Sequence, residues 1–323
     1  MAEGPILVTG AAGFIGSWTA QRLLGRGAAV VGVDNFDPFY DPARKRANLR
    51  EVESSGGAWS FVEADLADAA AVARVFAEFR PKGVVHLAAK AGVRPSIEDP
   101  VGYNRANVLG TMAVLEAARA AGCDRVVVAS SSSVYGNAPK VPFAETDDVS
   151  TPISPYAATK RACELMGYTH WHLTRMPTAM LRFFTVFGPR QRPDLAIQSF
   201  IVKVARGEPI RMFGDGTTSR DYTFIDDIVT GVVAAYDRIP AHGYRVWNLG
   251  GQSPVSLREM IATIGRVVGR DPKVEPGPMQ PGDVNRTWAD LTRAKAELGY
   301  APTTGFEEGV RRQWAWVRAA GLA

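Results

Sequence analysis

The stretch Ile6-Leu7-Val8-Thr9-Gly10-Ala11-Ala12-Gly13-Phe14-Ile15-Gly16 is a short apolar run followed by three glycines spaced three residues apart. The run predicts a strand, and the apolar residues after Gly16 recur at roughly helical spacing, so the glycines fall in a strand-to-helix turn. This G-x-x-G-x-x-G pattern is a close relative of the dinucleotide-binding fingerprint, because a tight turn and a backbone that touches a pyrophosphate both need residues without a Cβ atom. The exposed N–H groups and the helix dipole would then hold the negative charge.

A second apolar run, residues 28–33, ends at Asp34. It lies about 20 residues beyond the glycines, where a carboxylate that binds ribose is expected. Strand and helix patterns alternate through the first half of the chain, which predicts an α/β fold with a Rossmann-type, doubly wound parallel sheet. The later elements are shorter and richer in Pro and Gly. We therefore predict an NAD-type dinucleotide-binding domain over residues 1–186, rejoined by residues 221–250, and a smaller C-terminal substrate-binding domain over residues 187–323.

The composition excludes several other classes of protein. The 323 residues are 46% hydrophobic and 22% charged, which is ordinary for a soluble chain. The net charge is +4, but Lys and Arg are scattered among acids and form no basic stripe for nucleic acid. Two cysteines and four histidines show no disulfide or metal-site spacing, so we expect no metal. No signal peptide and no apolar run near the roughly 20 residues of a membrane span are evident, which favours a cytoplasmic enzyme.

A second motif predicts the catalytic chemistry. Tyr156 and Lys160 are four residues apart in a predicted helix and share one of its faces. A nearby ammonium favours the phenolate form of a tyrosine, which makes it a usable base near neutral pH. Ser131 belongs to a run of four serines at the end of the predicted strand 125–130, where hydroxyls can hydrogen-bond to a substrate alcohol. A surface tyrosine and lysine would give the same Y-x-x-x-K spacing, but its combination with the serines and the glycine turn is specific.

Nearly the whole chain resembles the extended short-chain dehydrogenases/reductases. The nucleotide-sugar epimerase branch is indicated by Thr9-Gly10-x-x-Gly13-x-x-Gly16, His86-Leu87-Ala88-Ala89, Asn107-Val108-x-Gly110-Thr111, Ser133-Val134-Tyr135-Gly136, Tyr156-x-x-x-Lys160 and Arg220-Asp221-Tyr222. The similarity is greatest to the UDP-glucuronate 4-epimerases, through Asp34-Asn35-Phe36, Ala91-Gly92-Val93-Arg94, Leu181-Arg182-Phe183-Phe184-Thr185-Val186-Phe187-Gly188-Pro189 and Gln280-Pro281-Gly282-Asp283-Val284.

The resemblance implies a tightly held NAD. Its cofactor-binding residues would be Gly10, Ala12, Gly13, Phe14, Ile15, Gly16, Asp34, Asn35, Asp65, Leu66, Leu87, Ala88, Ala89, Asn107, Tyr156 and Lys160. Asp34 would bind the adenosine ribose and repel the 2′-phosphate of NADP, Asp65 and Leu66 would contact adenine, and Lys160 would bind the nicotinamide ribose. Lys90 stands where the family commonly has Gln, and its role stays open.

The implied reaction is the C4 epimerisation of UDP-glucuronate to UDP-galacturonate through a transient 4-keto intermediate. Tyr156 would remove the proton of the sugar 4-hydroxyl, with Ser131 aligning that oxygen. Hydride would leave C4, the ketone would turn over in the pocket, and hydride would return to the opposite face. The catalytic residues are therefore predicted to be Ser131, Tyr156 and Lys160, and the substrate-binding residues Arg94, Ser131, Ser132, Ser133, Thr185, Arg192, Arg220 and Asp283.

Two of these residues suggest an acidic sugar. A 4-keto uronate is a β-keto acid that loses carbon dioxide when the C5–carboxylate bond aligns with the carbonyl π system. Thr185 and Arg192 resemble the family's carboxylate-binding pair, in which a guanidinium fork suits bidentate holding. Most related epimerases have Asn in place of Thr185. A solvated loop arginine would give the same pattern at Arg192.

The nucleotide end is predicted from two further matches. Arg220 matches the family's diphosphate-binding arginine, and Asp283 matches an acid on the uridine ribose. The preceding Asp215-Gly216 is also a hairpin-turn signal in its own right, and an aspartate that caps a turn would serve equally well at position 283.

Several functions remain as alternatives. Ser132 and Ser133 stand where related 4,6-dehydratases have Asp-Glu, and decarboxylating UDP-xylose synthases have Glu at the second position, so the hydroxyls favour simple inversion. The alternatives are a UDP-glucose/UDP-galactose 4-epimerase, disfavoured by Thr185 and Arg192, a UDP-glucuronate decarboxylase, and a non-catalytic NAD-sensing regulator. Helices over residues 107–121 and 156–174 resemble those that pair in dimers of this family, so a homodimer is expected.

Overall fold

A computed structural model describes residues 4–251, 253–278 and 284–323. Its strands are β1 (Ile6–Thr9), β2 (Val30–Asp34), β3 (Trp59–Glu63), β4 (Gly83–His86), β5 (Arg125–Ser131), β6 (Thr178–Phe183), β7 (Thr185–Phe187), β8 (Ile210–Phe213), β9 (Ser219–Phe224), β10 (Tyr244–Leu249), β11 (Pro254–Ser256) and β12 (Val274–Gly277). Its α-helices are α1 (Phe14–Leu24), α2 (Pro42–Ser54), α3 (Ala69–Phe79), α4 (Val93–Glu98), α5 (Pro100–Tyr103), α6 (Gly110–Ala120), α7 (Pro155–Thr174), α8 (Ala196–Arg206), α9 (Ile225–Arg238), α10 (Leu257–Val268), α11 (Thr292–Leu298) and α12 (Phe306–Ala319).

Seven parallel strands form the central sheet, in the order β10-β6-β5-β4-β1-β2-β3. The strand order reverses between β1 and β4, and in open α/β sheets the ligand crevice lies outside the carboxyl ends of the strands at such a reversal. The glycine turn after Thr9 and the loop after His86 therefore meet at one place. The sheet confirms the predicted doubly wound fold.

Both faces of the sheet are covered, which explains why its strands are almost continuously apolar. Val8 and Val127 face a buried cluster that includes α1 and α9 and continues through Trp247 to α10 and α12. Leu7 and Val126 face a second cluster formed with α3, α6 and α7.

The remaining strands form smaller sheets in the later part of the chain. In one of them β7 pairs parallel to β9, and β9 pairs antiparallel to β11; a separate parallel pair joins β8 and β12. The strands on either side of Asp215-Gly216, β8 and β9, lie in different sheets, so this turn does not close a hairpin. Because β10 lies within residues 221–250 and pairs with β6, we propose that this segment belongs with residues 1–186 and that the smaller unit is formed by the other residues after 186.

Local sequence signals fix the ends of the helices near the sheet. Asp68 caps α3 by accepting hydrogen bonds from the Ala70 and Ala71 N–H groups. Ser154 caps α7 by accepting one from the Ala157 N–H, and a proline occupies the first helical position. α7 therefore begins at the boundary between Ser154 and the catalytic motif, as the sequence predicts.

One long helix crosses from α5 to α6 through a π-helical segment, Asn104–Leu109. The sequence predicts a helix over about residues 101–121 but not the wider turn within it. Such π turns are frequent at functional sites, and this one contains Asn107. In the part of the chain that the structure describes, no helix has the length and apolar character of a membrane span.

Candidate active site

A cavity of about 500 Å³ lies at the carboxyl edge of the central sheet. Most of the predicted site residues line it: Gly10, Gly13, Phe14, Ile15, Gly16, Asp34, Asn35, Asp65, Leu66, Leu87, Ala88, Ala89, Ser131, Ser132, Ser133, Tyr156, Lys160, Thr185, Arg192 and Arg220. Ala12, Asn107 and Arg94 are not among the lining residues, and Asp283 lies outside the described residues. The cavity therefore joins the glycine turn, the serine run, the tyrosine–lysine motif and the later arginines.

The glycine turn is built by close backbone packing. Gly10 has φ +69°, and a Cβ atom on it would lie 2.8 Å from the Ala88 nitrogen. A Cβ on Gly16 would overlap the carbonyl oxygen of Gly10. Among the described residues no side chain caps α1, and its first turn carries no acid. The helix therefore presents its first N–H groups to the cavity, as an anion site requires.

Asp34 ends β2 with an oriented carboxylate. It is 8% exposed and accepts hydrogen bonds from the Phe36 N–H (2.9 Å) and the Ala12 N–H (3.2 Å). Burial raises the pKa of Asp34, while Lys45, with its Nζ 3.9 Å away, and these N–H donors oppose that rise. Ala12 therefore holds Asp34 in position from outside the cavity lining. The sequence predicts instead that Ala12 contacts the cofactor directly.

Two other predicted cofactor residues have structural partners of their own. The carboxylate of Asp65 accepts hydrogen bonds from the Arg105 guanidinium (2.8 Å) and the Ala67 N–H (3.0 Å) at the surface. Asn107 is buried and bonds to both backbone groups of Lys90, accepting from its N–H (2.8 Å) and donating to its carbonyl (3.0 Å). It also donates to Thr159 Oγ1 at 3.0 Å, so it ties the loop after β4 to α7.

The tyrosine–lysine motif lies on the first turns of α7. Lys160 is buried and its Nζ donates to the Ala129 carbonyl at 2.7 Å, which holds the ammonium beneath the end of β5. Tyr156 lines the cavity, and its backbone N–H donates to Ser96 Oγ at 3.1 Å. The motif therefore places the Tyr156 side chain and the buried Lys160 in the wall of the same cavity.

The serine run turns sharply at the end of β5. Ser131 Oγ accepts a hydrogen bond from the Ser133 N–H at 3.1 Å and donates to Ser133 Oγ at 3.0 Å, which starts a 3₁₀ turn over Ser132–Tyr135. The three hydroxyls of Ser131, Ser132 and Ser133 all border the cavity. Hydroxyls are weak acids and bases at neutral pH, so they suit alignment of a substrate oxygen rather than proton transfer.

Arg192 is not a solvated loop arginine. Its side chain is 15% exposed, and its guanidinium is bound to the carboxylate of Asp194 and to the Ala91 carbonyl. Burial acts to lower the pKa of Arg192, but the hydrogen bonds to Asp194 and the negative charge of Asp194 together raise it. Thr185, the other half of the predicted carboxylate pair, starts β7 and lines the same cavity.

The other two arginines predicted to bind the substrate, Arg220 and Arg94, lie in different surroundings. Arg220 lines the cavity from β9 and donates to the Ser219 carbonyl at 3.0 Å. Its neighbour Asp221 is fully buried and accepts from the Gly251 N–H (2.7 Å) and the Ala289 N–H (2.9 Å), so it ties two loops beside Arg220. Arg94 is exposed, and its Cζ lies 4.9 Å from the centre of the Phe213 ring, away from the cavity lining.

The sequence did not predict three residues that line the cavity or hold a residue in its lining: Tyr103, Tyr40 and Asp194. Tyr103 lines the cavity with its ring edge-on to Tyr156, 6.2 Å between ring centres, and its buried hydroxyl has no partner among the described residues. Burial raises the pKa of Tyr103 to about 12. Asp194 and Tyr40 were also not predicted, although Asp194 stands two residues after Arg192 and Tyr40 lies in an aromatic loop.

Lys90 also lines the cavity, and its Nζ donates to the Asp99 carboxylate at 2.9 Å. The positive charge of Lys90, which stands where the family commonly has glutamine, is therefore paired with the negative charge of Asp99. Within the described ranges, no group of three His, Cys, Asp or Glu side chains is arranged to hold a metal ion.

Comparison with known proteins places this geometry in a family. The family described as GDP-mannose 4,6 dehydratase matches residues 7–313. A relative called UDP-glucuronate 4-epimerase, from Thermodesulfobacterium geofontis, is 42% identical over 317 residues, covering 98% of this chain and 96% of that protein.

Two solved structures have the same architecture throughout. The UDP-glucuronic acid 4-epimerase of Bacillus cereus, in complex with UDP-glucuronic acid and NAD, has a TM-score of 0.91 and 34% identity, covering 98% of this chain and 99% of that one. The UDP-glucose 4-epimerase of Thermotoga maritima, with UDP-glucose, has a TM-score of 0.89 and 31% identity at 98% and 99% coverage.

Proposed function

This chain belongs to the GDP-mannose 4,6-dehydratase family of extended short-chain dehydrogenases/reductases, and we propose that it is an NAD-dependent UDP-glucuronate 4-epimerase. The observation that carries the proposal is the cavity itself, which joins Ser131, Tyr156 and Lys160 to Thr185 and Arg192. Dehydrogenase chemistry and carboxylate recognition therefore act on one bound sugar. The product is UDP-galacturonate, reached through a transient 4-keto sugar.

The residues at the glycine turn fit NAD. The uncapped start of α1 offers N–H donors to a pyrophosphate, and any side chain at Gly10 or Gly16 would collide with the neighbouring backbone. Asp34 would bind the adenosine ribose, Leu66 would contact adenine, and Lys160 would bind the nicotinamide ribose. Bound there, NAD supplies the hydride acceptor and donor that inversion at C4 needs.

Tyr156 is the proposed base. It removes the proton from the sugar 4-hydroxyl and returns a proton to that oxygen when the ketone is reduced. The buried ammonium of Lys160 lies four residues further along α7, on the same face of the helix, and borders the same cavity. Ser131, held by its two hydrogen bonds to Ser133, aligns the 4-oxygen.

Thr185 and Arg192 are the proposed partners of the C5 carboxylate. Both line the cavity, and the Arg192 side chain is only 15% exposed, so a hydrogen bond to a carboxylate there is partly shielded from water. Arg220 is the proposed partner of the diphosphate. Asp283, the proposed partner of the uridine ribose, lies outside the described residues.

The alternatives are weaker on chemical grounds. Dehydration or decarboxylation with protonation at C5 calls for an acid beside the sugar ring, and positions 132 and 133 carry hydroxyls. A UDP-glucose 4-epimerase would need no buried arginine beside the sugar. A regulator that only senses NAD would need neither Tyr156 nor Ser131; a Tyr156→Phe variant with unchanged biological output would restore that alternative.

The experiment that tests the function is a proton NMR time course of purified enzyme with UDP-glucuronate and no added NAD. New anomeric signals of UDP-galacturonate that reach a stable mixture without carbon dioxide release are the expected result. A UDP-pentose product would make the enzyme a decarboxylase. Conversion of UDP-glucose alone would retain the chemistry and overturn the substrate.

A homodimer is proposed from two adjoining helical faces. Val101 (79% exposed), Leu109 and Met112 recur at helical spacing on the helix that ends with α6. Leu165 and Leu173 (76% exposed) do so on α7. A second copy would bury these side chains. Light scattering at micromolar concentration should give twice the 34.8 kDa of one chain, and a mass of one chain alone would refute the dimer.

A cytoplasmic location is also proposed. Cys123 and Cys163 are both buried and unpaired, as thiols are in a reducing compartment. Recovery of the protein from a membrane or secreted fraction of cells would contradict it.

A further inference from the structure

The guanidinium of Arg192 is held on three sides before any ligand arrives. Its Nε donates to Asp194 Oδ1 at 3.0 Å, and its Nη2 donates to Asp194 Oδ2 at 2.6 Å. The Nη2 group also donates to the Ala91 carbonyl at 3.0 Å. The ring of Phe39 covers its face, with the ring centre 5.0 Å from Cζ.

These contacts leave one end of the arginine for the sugar. A guanidinium has five N–H donors. The single donor of Nε and one donor of Nη2 bind the Asp194 carboxylate, and the other donor of Nη2 binds the Ala91 carbonyl. No residue in the described ranges accepts a hydrogen bond from Nη1. The side edge, which would grip a carboxylate with two parallel bonds, is thus already occupied by a carboxylate of the protein.

Asp194 also changes the charge of the pocket. A buried arginine alone would attract a uronate strongly and hold it wherever its two oxygens reach. Paired with Asp194, the arginine is a neutral unit that recognises an oxygen through hydrogen bonds of fixed direction. Asp194 itself is 37% exposed, so its replacement leaves no large void in the core.

We propose that Asp194 is a positioning and specificity-determining residue for the reaction. It fixes the Arg192 guanidinium and occupies its side edge, so that the C5 carboxylate is met by Nη1 and by Thr185 in one place and its bond to C5 stays out of line with the carbonyl π system. This inference rests on the proposed function of the site. If the carboxylate is free to move while the ring of the 4-keto sugar changes its pucker, the C5–carboxylate bond can become axial and align with the carbonyl π system. The bond then breaks, its electron pair forms the enolate of the ketone, carbon dioxide leaves and C5 takes up a proton.

The test compares Asp194→Asn with the wild type in two assays. With UDP-glucuronate labelled by ¹³C at C6, the ratio of labelled carbon dioxide to UDP-galacturonate should rise roughly tenfold, because the guanidinium that positions the carboxylate is no longer fixed by Asp194. By calorimetry, the affinity for UDP-glucuronate relative to UDP-glucose should also rise roughly tenfold, because the arginine charge is no longer cancelled. Neither ratio depends on how much of the enzyme is folded.

Two controls sharpen the result. Asp194→Glu keeps the carboxylate and should return both ratios most of the way to wild type. Glu116→Gln removes an exposed carboxylate paired with Arg119 and should change neither. A carbon dioxide ratio within twofold of wild type in Asp194→Asn overturns the inference, whatever the total rate does. If the wild type makes no UDP-galacturonate, the proposed function fails, and the affinity ratio still decides the role of Asp194.

Discussion

Replacement of Glu164 by glutamine should lower the stability of the protein. Glu164 lies in the core directly behind the catalytic residues. Glu164 is fully buried, and Arg182 is 2% exposed. Arg182 grips its carboxylate with two bonds, Nε to Oε1 at 2.8 Å and Nη2 to Oε2 at 2.9 Å. Ser130 Oγ donates to Oε1 at 2.7 Å, one residue before Ser131. The pair therefore links α7, β5 and β6 beneath the site.

The size of the effect follows from the charge that is left behind. Removal of one partner of a buried ion pair costs about 3–5 kcal/mol, because the other stays charged without compensation. Glutamine keeps one acceptor oxygen, so we expect the lower end, about 3 kcal/mol. With an m value of about 3 kcal/mol/M, the urea midpoint should fall by about 1 M. This is a large part of the roughly 5–15 kcal/mol that a folded protein has.

Urea unfolding followed by circular dichroism measures the loss. Glu116→Gln, which removes a surface partner of Arg119, is the matched control and should cost less than about 0.5 kcal/mol. The double variant Glu164→Leu with Arg182→Met should recover most of the loss, since a buried pair is often replaceable by apolar side chains. A loss below about 1 kcal/mol in Glu164→Gln would refute the reasoning that Arg182 depends on this carboxylate.

The remaining predictions address the base, a buried histidine and an unpartnered hydroxyl. Tyr156→Phe should lower kcat about 10²–10⁴-fold while the NAD released on denaturation stays equal to that of the wild type; loss of the cofactor would contradict the assigned role. Burial, with Lys160 nearby, lowers the pKa of His86 to about 3, so the unfolded chain gains a proton below pH 6.5 that the folded chain does not. Stability should therefore fall by about 1.4 kcal/mol per pH unit between pH 6.5 and 4.5 through this residue, and a urea series in which His86→Gln has the same slope would exclude it. Tyr103→Phe removes a buried hydroxyl without a partner among the described residues, so the free energy of unfolding without ligand should rise by about 1 kcal/mol; a decrease would mean that the hydroxyl is satisfied.

The central sheet was predictable because its signals are local. Each buried strand is a short apolar run, and caps such as Asp68 and Ser154 mark where the helices begin. The features that the sequence did not predict depend on contacts between residues that are far apart in the chain. Asp215-Gly216 has the composition of a hairpin turn, yet β8 pairs with β12 and β9 with β7 and β11. The π-helical segment contains Asn107, whose side chain bonds to Lys90 and Thr159 from distant parts of the chain, and no local pattern encodes these bonds.

The candidate site likewise has a part that the sequence predicts and a part that it does not. Glycine, serine and tyrosine motifs are contiguous in sequence, so their meeting at the strand ends follows from the fold class. The surroundings of Arg192 do not follow from the fold class, because Ala91 and Phe39, which contact it, precede it by more than a hundred residues. Asp194 is adjacent in sequence, but an acid two residues from an arginine is common on protein surfaces. Only the position of Arg192 in the cavity wall, with its side chain 15% exposed, distinguishes this pair.

The segment that carries Arg192 is fastened to the cofactor side of the cavity. Trp18 Nε1 of α1 donates to the Pro189 carbonyl at 3.1 Å, and the Arg190 guanidinium lies over the Trp18 ring, 4.7 Å from its centre. With the two sides joined, inversion at C4 requires the sugar to turn rather than the protein. A sugar held by a full arginine fork would have to break two charge-assisted bonds before it turned. One held through Nη1 and Thr185 breaks a single bond to the arginine, of about 1.5–3 kcal/mol, so the Asp194 contact that positions the carboxylate also lowers the barrier to rotation of the sugar.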